Sequence, residues 1–325
     1  MDRLERVAVQ LWEAARFLDE GTVAYQRLAL DLADGAAESV LYSACIERFP
    51  FTRLSRMVEG KDFTFQERGR IERLFEEKLA YLEAEEKLDA TTGRVLRRLH
   101  AYRNGTHHRD EVRPTTLDSA VRLYLYLAAQ LLDDLPTIAV KVTSLDEVPG
   151  LRPFLAEIED SPRLLLEASL SLRGQVAETI RARANLESLS ELQEELARHS
   201  VQRWKEVVAG LHYLASYFGP ADVTSDERLG RIIELVIDLA KTGDEHATHG
   251  LTARQRRQVA SLSGSDLGRM REAPTRIQAQ ERPLDAFAAF ADFEDDLEPL
   301  ETMVRTMGYE VERAETLKDE ERRGK

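Results

Sequence analysis

Apolar side chains recur every three or four positions through most of the chain, which is the spacing of amphipathic helices. In residues 2–19 one such stripe contains Leu4, Val7, Leu11, Ala14, Ala15 and Leu18. The same spacing continues in four further segments, 22–48, 64–88, 91–102 and 116–135. Because short connections join these segments, residues 1–135 are predicted to form five or six helices of an antiparallel bundle.

The helical pattern stops between residues 136 and 153 and then resumes. Several prolines and a glycine surround the short β-like run Ile138–Val142 in this segment. Such punctuation is typical of a boundary between domains. We predict an all-α protein in three parts: an N-terminal helical bundle at 1–140, a linker at 141–153, and a helical C-terminal region at 154–325. By elimination, the C-terminal region is expected to regulate, to sense a trigger or to assemble the protein.

Two segments of the C-terminal region stand out from its predicted helices. Residues 252–282 are polar and rich in arginine, so they are predicted to be a solvated linker, with an RNA-contacting arm as the alternative. A helix over 284–307 carries phenylalanines at helical spacing, which favours a core or a groove for a partner helix. The charged residues 309–325 are expected to fray.

Composition narrows the class of protein but not its function. The chain has 325 residues, with 59 acidic and 45 basic side chains and a formal charge of −14. A net negative charge argues against a broad phosphate-binding surface, so any nucleic-acid site must be local. The single cysteine, Cys45, excludes disulfide pairing and four-cysteine zinc sites within one chain. Without a long apolar run or a signal-peptide pattern, we expect a cytoplasmic protein that does not contact membranes.

One short segment is positively charged, although the chain as a whole is negative. Residues 94–113 contain six arginines and two acids, a net charge of +4. Three of the seven histidines also fall here, at His100, His107 and His108. Histidine exchanges protons near neutral pH, and arginine keeps its charge and presents a donor fork that fits a phosphate. Together they can cleave RNA without a metal or cofactor, by attack of the 2′-hydroxyl on the adjacent phosphorus.

The sequence Arg103-Asn104-x-x-x-His108 resembles the R-x(4–6)-H motif of HEPN domains, in which a polar residue often follows the arginine. The resemblance covers roughly residues 1–140. It implies a metal-independent endoribonuclease that leaves 2′,3′-cyclic phosphate ends, often a toxin or an antiviral defence effector. Arg103, Asn104 and His108 would be its catalytic residues. Family members usually act as homodimers with two facing motifs, and an antitoxin or regulatory protein is a further expected partner.

Residue geometry gives the dimer an independent reason. His107 and His108 would point about 100° apart on a helix, so they are not expected to share one phosphate. A two-fold axis that brings His108 from each chain together would supply both proton-transfer groups. His107 paired with Arg103 is the competing register if the segment is helical, whereas Gly105 and Thr106 favour a loop.

The neighbouring side chains have two interpretations each. Substrate-binding roles are assigned to His107, and to Arg97, Arg98 and Arg109 as contacts to flanking phosphates; the alternative for the arginines is pairing with nearby acids. His100 and Tyr102 are expected to be structural. A different class of function also stays open, in which residues 94–113 only dock an acidic partner or a nucleotide on a non-catalytic helical scaffold.

One further histidine pair deserves comparison with metal sites. His246 and His249 lie three positions apart beside acids, a spacing that zinc can use. Because no third histidine or cysteine is near in sequence, a polar turn is predicted and no metal site is assigned.

Overall fold

In a computed structural model of the chain, the described residues are 3–58, 64–108, 114–135, 148–154, 162–186, 189–218 and 225–323. Every regular element in these ranges is a helix, which confirms the predicted all-α fold. The β-like run Ile138–Val142 lies outside the described ranges. None of the helices in those ranges is long and apolar enough to cross a lipid bilayer. The chain divides into two compact units, Met1–Leu192 and Gln193–Lys325.

The first unit is a helical bundle built around its second helix. Its α-helices are α1 (Arg3–Asp19), α2 (Val23–Val58), α3 (Phe65–Arg73), α4 (Phe75–Ala84), α5 (Ala90–His108), α6 (Pro114–Asp134) and α7 (Pro162–Ala184). Helix α2 packs against α1, α4, α5 and α6. Leu11 of α1 and Leu30 and Leu41 of α2 are among the fully buried side chains of the first unit, as expected for apolar stripes that face a common core. Six α-helices therefore lie within 3–134, in agreement with the predicted five or six.

Two helix ends differ from the sequence prediction. The helix expected over 64–88 is broken at Leu74, whose extended backbone (φ −99°, ψ 127°) ends α3 and begins α4. Helix α5 is capped by Asp89, whose Oδ1 accepts hydrogen bonds from the amides of Thr91 and Thr92 at 3.0 Å each. An aspartate at this position satisfies two of the amides that are otherwise free at the start of a helix.

A short 3-10 helix, Pro149–Phe154, covers part of α1. The ring of Phe154 meets that of Trp12 edge to face, with 5.4 Å between the centroids. The amide of Gly150 donates to Oε1 of the buried Glu5 at 2.9 Å. These contacts make the C-terminal end of the predicted linker part of the first unit.

Helix α7 also belongs to the first unit, because it packs against α6 and α1. The division between the units therefore lies between Leu192 and Gln193, within α8 (Leu189–Phe218). The sequence had placed the division at 141–153, where prolines interrupt the helical pattern. The prolines lie in a connection within the first unit, and the packing of α7 moves the boundary between the units to Leu192 and Gln193.

The second unit contains the rest of α8 and four more helices, α9 (Ser225–Thr242), α10 (Ala253–Ala260), α11 (Gly264–Gln278) and α12 (Pro283–Arg323). Helices α10 and α11 occupy the arginine-rich segment expected to be a linker or arm. Each begins with a capping box, at Thr252 and at Ser263. Helix α12 continues to Arg323. Residues 309–323, which were predicted to fray, are therefore helical.

The aromatic stripe of α12 forms the core of the second unit. Phe287, Phe290 and Phe293 are fully buried, which confirms the core interpretation. Beside them the buried Arg203 of α8 forms ion pairs with Glu294 and Glu301 of α12. Paired in this way, the charges tolerate burial next to the phenylalanines.

Candidate functional site

Helix α5 runs without interruption from Ala90 through His108, so Arg103 and Asn104 lie on a helix and not in a loop. Gly105 and Thr106 do not break it, in contrast to the sequence expectation. At about 100° per residue, position 107 lies about 40° from Arg103 around the helix, and position 108 about 140°. The side chains of residues 106–108 lie outside the described part of the structure, as does all of Arg109.

The helical path changes the balance between the two histidines. The spacing of the motif favours His108, and a loop at Gly105 was the argument against the competing register with His107; that argument does not apply to a continuous helix. Position 107 shares a helix face with Arg103, whereas position 108 lies about 140° around the helix from it. Both histidines therefore remain candidates for the proton-transfer group of the motif.

The guanidinium of Arg103 is oriented by two carboxylates of α2. Its Nε donates to Oδ1 of Asp31 at 3.1 Å and lies 3.6 Å from Oδ2 of Asp34. Its Nη1 donates to Oδ1 of Asn104 at 3.1 Å. The arginine side chain is 28 % exposed. Asn104 thus contacts the arginine of the motif, and the guanidinium is both fixed in place and partly open to solvent.

Asp34 is the centre of a buried polar cluster next to the motif. Its Oδ1 accepts from the hydroxyl of Tyr124 at 2.5 Å and contacts Nδ1 of His100 at 2.7 Å. Since an ionised carboxylate only accepts hydrogen bonds, Nδ1 of His100 is the donor to Asp34, and in a neutral imidazole the acceptor nitrogen is then Nε2. Phe75 stacks on the imidazole, with 4.1 Å between ring centroids and 6° between planes. The ring of His100 is therefore fixed in orientation and in tautomer.

Burial decides the protonation state of the tyrosine in this cluster. Tyr124 is fully buried, and desolvation together with the charge of Asp34 raises its pKa well above the usual value. The neutral hydroxyl therefore donates to Asp34 across the neutral pH range.

Asp31, Asp34 and Tyr124 were missed by the sequence reasoning, which concentrated on residues 94–113. A signal for Asp34 was present in the pattern. It lies within the apolar stripe of α2 next to Ala33, which is fully buried. A carboxylate on a core-facing stripe needs hydrogen-bond donors, and those donors come from helices distant in sequence.

The predicted phosphate-binding arginines have other partners where the structure describes them. Both Nη atoms of Arg97 donate to the carboxylate of Glu83, at 2.7 and 2.9 Å, and its Nε donates to Glu76 at 2.8 Å. The hydrogen bonds from Arg97 to Glu83 are the main cause that raises its pKa. Arg98 is buried, and its guanidinium lies 5.2 Å from the ring centroid of Tyr102. The contacts of Arg97 are those of the acid-pairing alternative, whereas Arg98 packs on the ring of Tyr102.

The second unit presents a separate polar cavity. His246 and His249 line it together with Glu245, Arg305 and Tyr309. Within the described ranges, no three potential ligand side chains converge as they would around a metal ion.

Comparisons of the chain with protein-family models, with curated proteins and with solved structures found no match. The resemblance to HEPN domains therefore stays a prediction, carried by the motif and its helical setting.

Proposed function

We propose that the protein is a metal-independent endoribonuclease whose site is built on the C-terminal half of α5. The observation that carries the proposal is the position of Arg103, whose guanidinium is held by Asp31 and Asp34 while the side chain as a whole is 28 % exposed. A fixed, partly exposed guanidinium can stabilise charge that develops on a phosphate without reorganising during the reaction. The last turn of the same helix carries His107 and His108.

The proposed reaction needs two proton transfers at one phosphodiester. A base takes the 2′-hydroxyl proton while O2′ bonds to phosphorus, and an acid protonates O5′ as the P–O5′ bond breaks. The products are a 2′,3′-cyclic phosphate and a 5′-hydroxyl. In the proposed homodimer, His108 of each chain contributes to the pair of proton-transfer groups, and Arg103 and Asn104 hold the phosphate. As a toxin or defence effector, the protein would require an antitoxin or regulatory partner.

Two variants test this function. Full-length Arg103→Ala and His108→Ala proteins are compared with wild type on RNA in the presence of EDTA. Loss of one acid–base group typically reduces a rate by about 10²–10⁴-fold, so we expect at least a 100-fold loss in each variant. Circular dichroism provides the control for folding. Arg282→Ala is the matched control, because Arg282 lies in the second unit and pairs locally with Asp285.

Cleavage that persists in both variants would contradict the proposed site. A wild-type protein that cleaves no RNA in any tested pool would contradict the function itself. His107→Ala, measured alongside, decides between the two registers of the motif.

A second candidate function is a non-catalytic helical scaffold. The observation that favours it is the pairing of Arg97 with Glu83 and Glu76, which occupies cations that phosphate would otherwise use. Under this alternative the Asp34 cluster serves only stability. Arg103→Ala would then lower the unfolding temperature without changing any RNA-dependent property.

A further inference from the structure

We propose that His100 is a catalytic residue of this site and acts as the base that accepts the 2′-hydroxyl proton. The inference rests on the proposed ribonuclease function and adds to it a residue that the R-x(4–6)-H motif does not include. The observations that carry it are the shared contacts of His100 and Arg103 with one carboxylate, the fixed tautomer of the imidazole and its partial exposure.

One buried carboxylate brings the imidazole and the guanidinium together. Oδ1 of Asp34 contacts Nδ1 of His100 at 2.7 Å, and Oδ2 lies 3.6 Å from Nε of Arg103. Asp34 is 3 % exposed and its side chain is therefore held rigidly among the helices. The two functional groups are therefore neighbours around one carboxylate, and in the proposed complex one phosphodiester contacts both.

The helix geometry agrees with this grouping. His100 and Arg103 are three residues apart, so they lie on one face of α5 with a rise of about 4.5 Å between them. Position 107 lies on the same face a further turn along. A phosphate bound at Arg103 would thus have His100 on the N-terminal side and position 107 on the C-terminal side, whereas position 108 of the same chain lies about 140° around the helix from Arg103.

The chemical state of His100 suits a base. Asp34 accepts a hydrogen bond from Nδ1, so in the neutral imidazole the lone pair is on Nε2. The carboxylate also stabilises the imidazolium that forms after proton transfer. The stacked ring of Phe75 prevents the imidazole from rotating away. The side chain of His100 is 20 % exposed, so part of it is open to solvent.

The proton balance of the step is simple. Nε2 of His100 takes the proton from O2′, the O2′–P bond forms and the P–O5′ bond breaks. His108 of the other chain in the proposed homodimer gives its proton to O5′, so His100 takes the place of one of the two His108 side chains in the proton-transfer pair. Exchange with solvent then returns both imidazoles to their starting states. One chain supplies the base and the arginine in this scheme.

A pair of substrates separates the base from the acid. One RNA has the natural 5′-oxygen at the scissile bond, and the other has a 5′-sulfur, a leaving group that departs without protonation. His100→Asn is the main variant, because the asparagine amide can still donate toward Asp34 where Nδ1 did. His100→Gln is measured alongside in case the shorter side chain impairs folding. Tyr126→Phe is the control, because Tyr126 lies on α6 with Tyr124 but is only partly buried.

We expect His100→Asn to lose at least 100-fold in cleavage rate on both RNAs while it stays folded. His108→Ala should lose activity on the oxygen substrate and recover it on the sulfur substrate. Tyr126→Phe should keep cleavage within about 3-fold of wild type.

Two results would overturn the inference and leave the ribonuclease in place. In the first, folded His100 variants cleave within about 3-fold of wild type while Arg103→Ala is inactive, which makes His100 structural. In the second, the sulfur substrate rescues His100→Asn, which makes His100 the acid. If wild type cleaves neither RNA, the proposed function fails and the inference fails with it.

Discussion

At the scale of single residues, the most consequential group is the carboxylate of Asp34. It receives the hydroxyl of Tyr124, contacts His100 and lies near Arg103, so three helices depend on one buried charge. An ionised carboxylate without donors is costly in a protein interior, whereas one with several donors is stable. The same contacts that stabilise the bundle therefore also fix the candidate catalytic groups.

Removing the tyrosine hydroxyl tests this dependence. We expect Tyr124→Phe to lower the free energy of unfolding by about 1–3 kcal/mol, because Asp34 loses a buried donor. The measurement is urea unfolding followed by circular dichroism. Tyr126→Phe is the matched control on the same helix, since Tyr126 is only partly buried. Equal stability of the two variants would contradict a role for the Tyr124–Asp34 hydrogen bond.

The raised pKa of Tyr124 makes a prediction about alkaline pH. Burial and Asp34 raise this pKa in the folded protein above the value of about 10 expected for the unfolded chain. The folded state therefore gains stability from neutral Tyr124 below pH 10 and loses that gain as pH rises above it. We expect the stability difference between wild type and Tyr124→Phe to shrink above pH 10, as measured by urea unfolding at several pH values. A difference that stays constant to pH 11 would contradict the assignment.

Residue types alone could predict part of the site. The basic segment, Arg103 and Asn104 were apparent from the sequence because their charge contrasts with the rest of the chain. Asp34 and Tyr124 could not be assigned in that way, since their contacts join residues that are 90 positions apart. Helix periodicity places a residue on a face but does not say which residue of another helix it meets.

At the scale of elements, the start of α5 positions the whole motif. Asp89 caps this helix through the amides of Thr91 and Thr92 and through the hydroxyl of Thr92. We expect Asp89→Ala to destabilise the protein by about 1 kcal/mol in thermal or urea unfolding, while Asp89→Asn, which keeps the acceptor, stays close to wild type.

Acid should weaken the same cap. Burial acts to raise the pKa of Asp89, but hydrogen bonds from Thr92 and Thr91 outweigh it, and the net result is a lowered pKa. The stabilising effect is thus complete above the unfolded pKa of about 4 and is lost as pH falls below it. An advantage of wild type over Asp89→Ala that persists unchanged at pH 2 would contradict this explanation.

Two glycine-to-alanine substitutions in helices of the second unit are expected to change the free energy of unfolding in opposite directions. A Cβ atom on Gly210 of α8 would lie 2.4 Å from Cγ1 of Val304 on α12, whereas nothing lies within 4 Å of one on Gly230 of α9. We expect Gly210→Ala to cost about 1–3 kcal/mol through overpacking. Gly230→Ala should stabilise the protein by up to about 1 kcal/mol, because alanine favours helix. Urea unfolding measures both, and a stabilised Gly210→Ala variant would contradict the close contact between these helices.

Periodicity predicted most helices and misjudged several ends. Helix α1 and helix α6 match the predicted segments 2–19 and 116–135 closely, since their apolar stripes are continuous. The break at Leu74 and the continuation of α5 through Gly105 were not predicted. In both places tertiary packing overrides local preference, and a weak helix former such as glycine costs only about 1 kcal/mol.

At the scale of the whole molecule, the chain is acidic overall but contains a locally basic segment. The net charge is −14, and residues 94–113 carry +4. The all-α class followed from periodicity. The division into Met1–Leu192 and Gln193–Lys325 did not, because it depends on how α7 packs against α6 and α1. Prolines mark where a chain turns, but contacts between helices decide which segments share a core.

The most direct test of the central claim is the chemistry of the RNA ends. Full-length protein is incubated with RNA in EDTA, and the products are analysed by mass spectrometry. The proposed mechanism predicts 2′,3′-cyclic phosphate and 5′-hydroxyl ends, formed by wild type and lost in Arg103→Ala. Products with 3′-hydroxyl and 5′-phosphate ends, or RNA that stays intact, would contradict it.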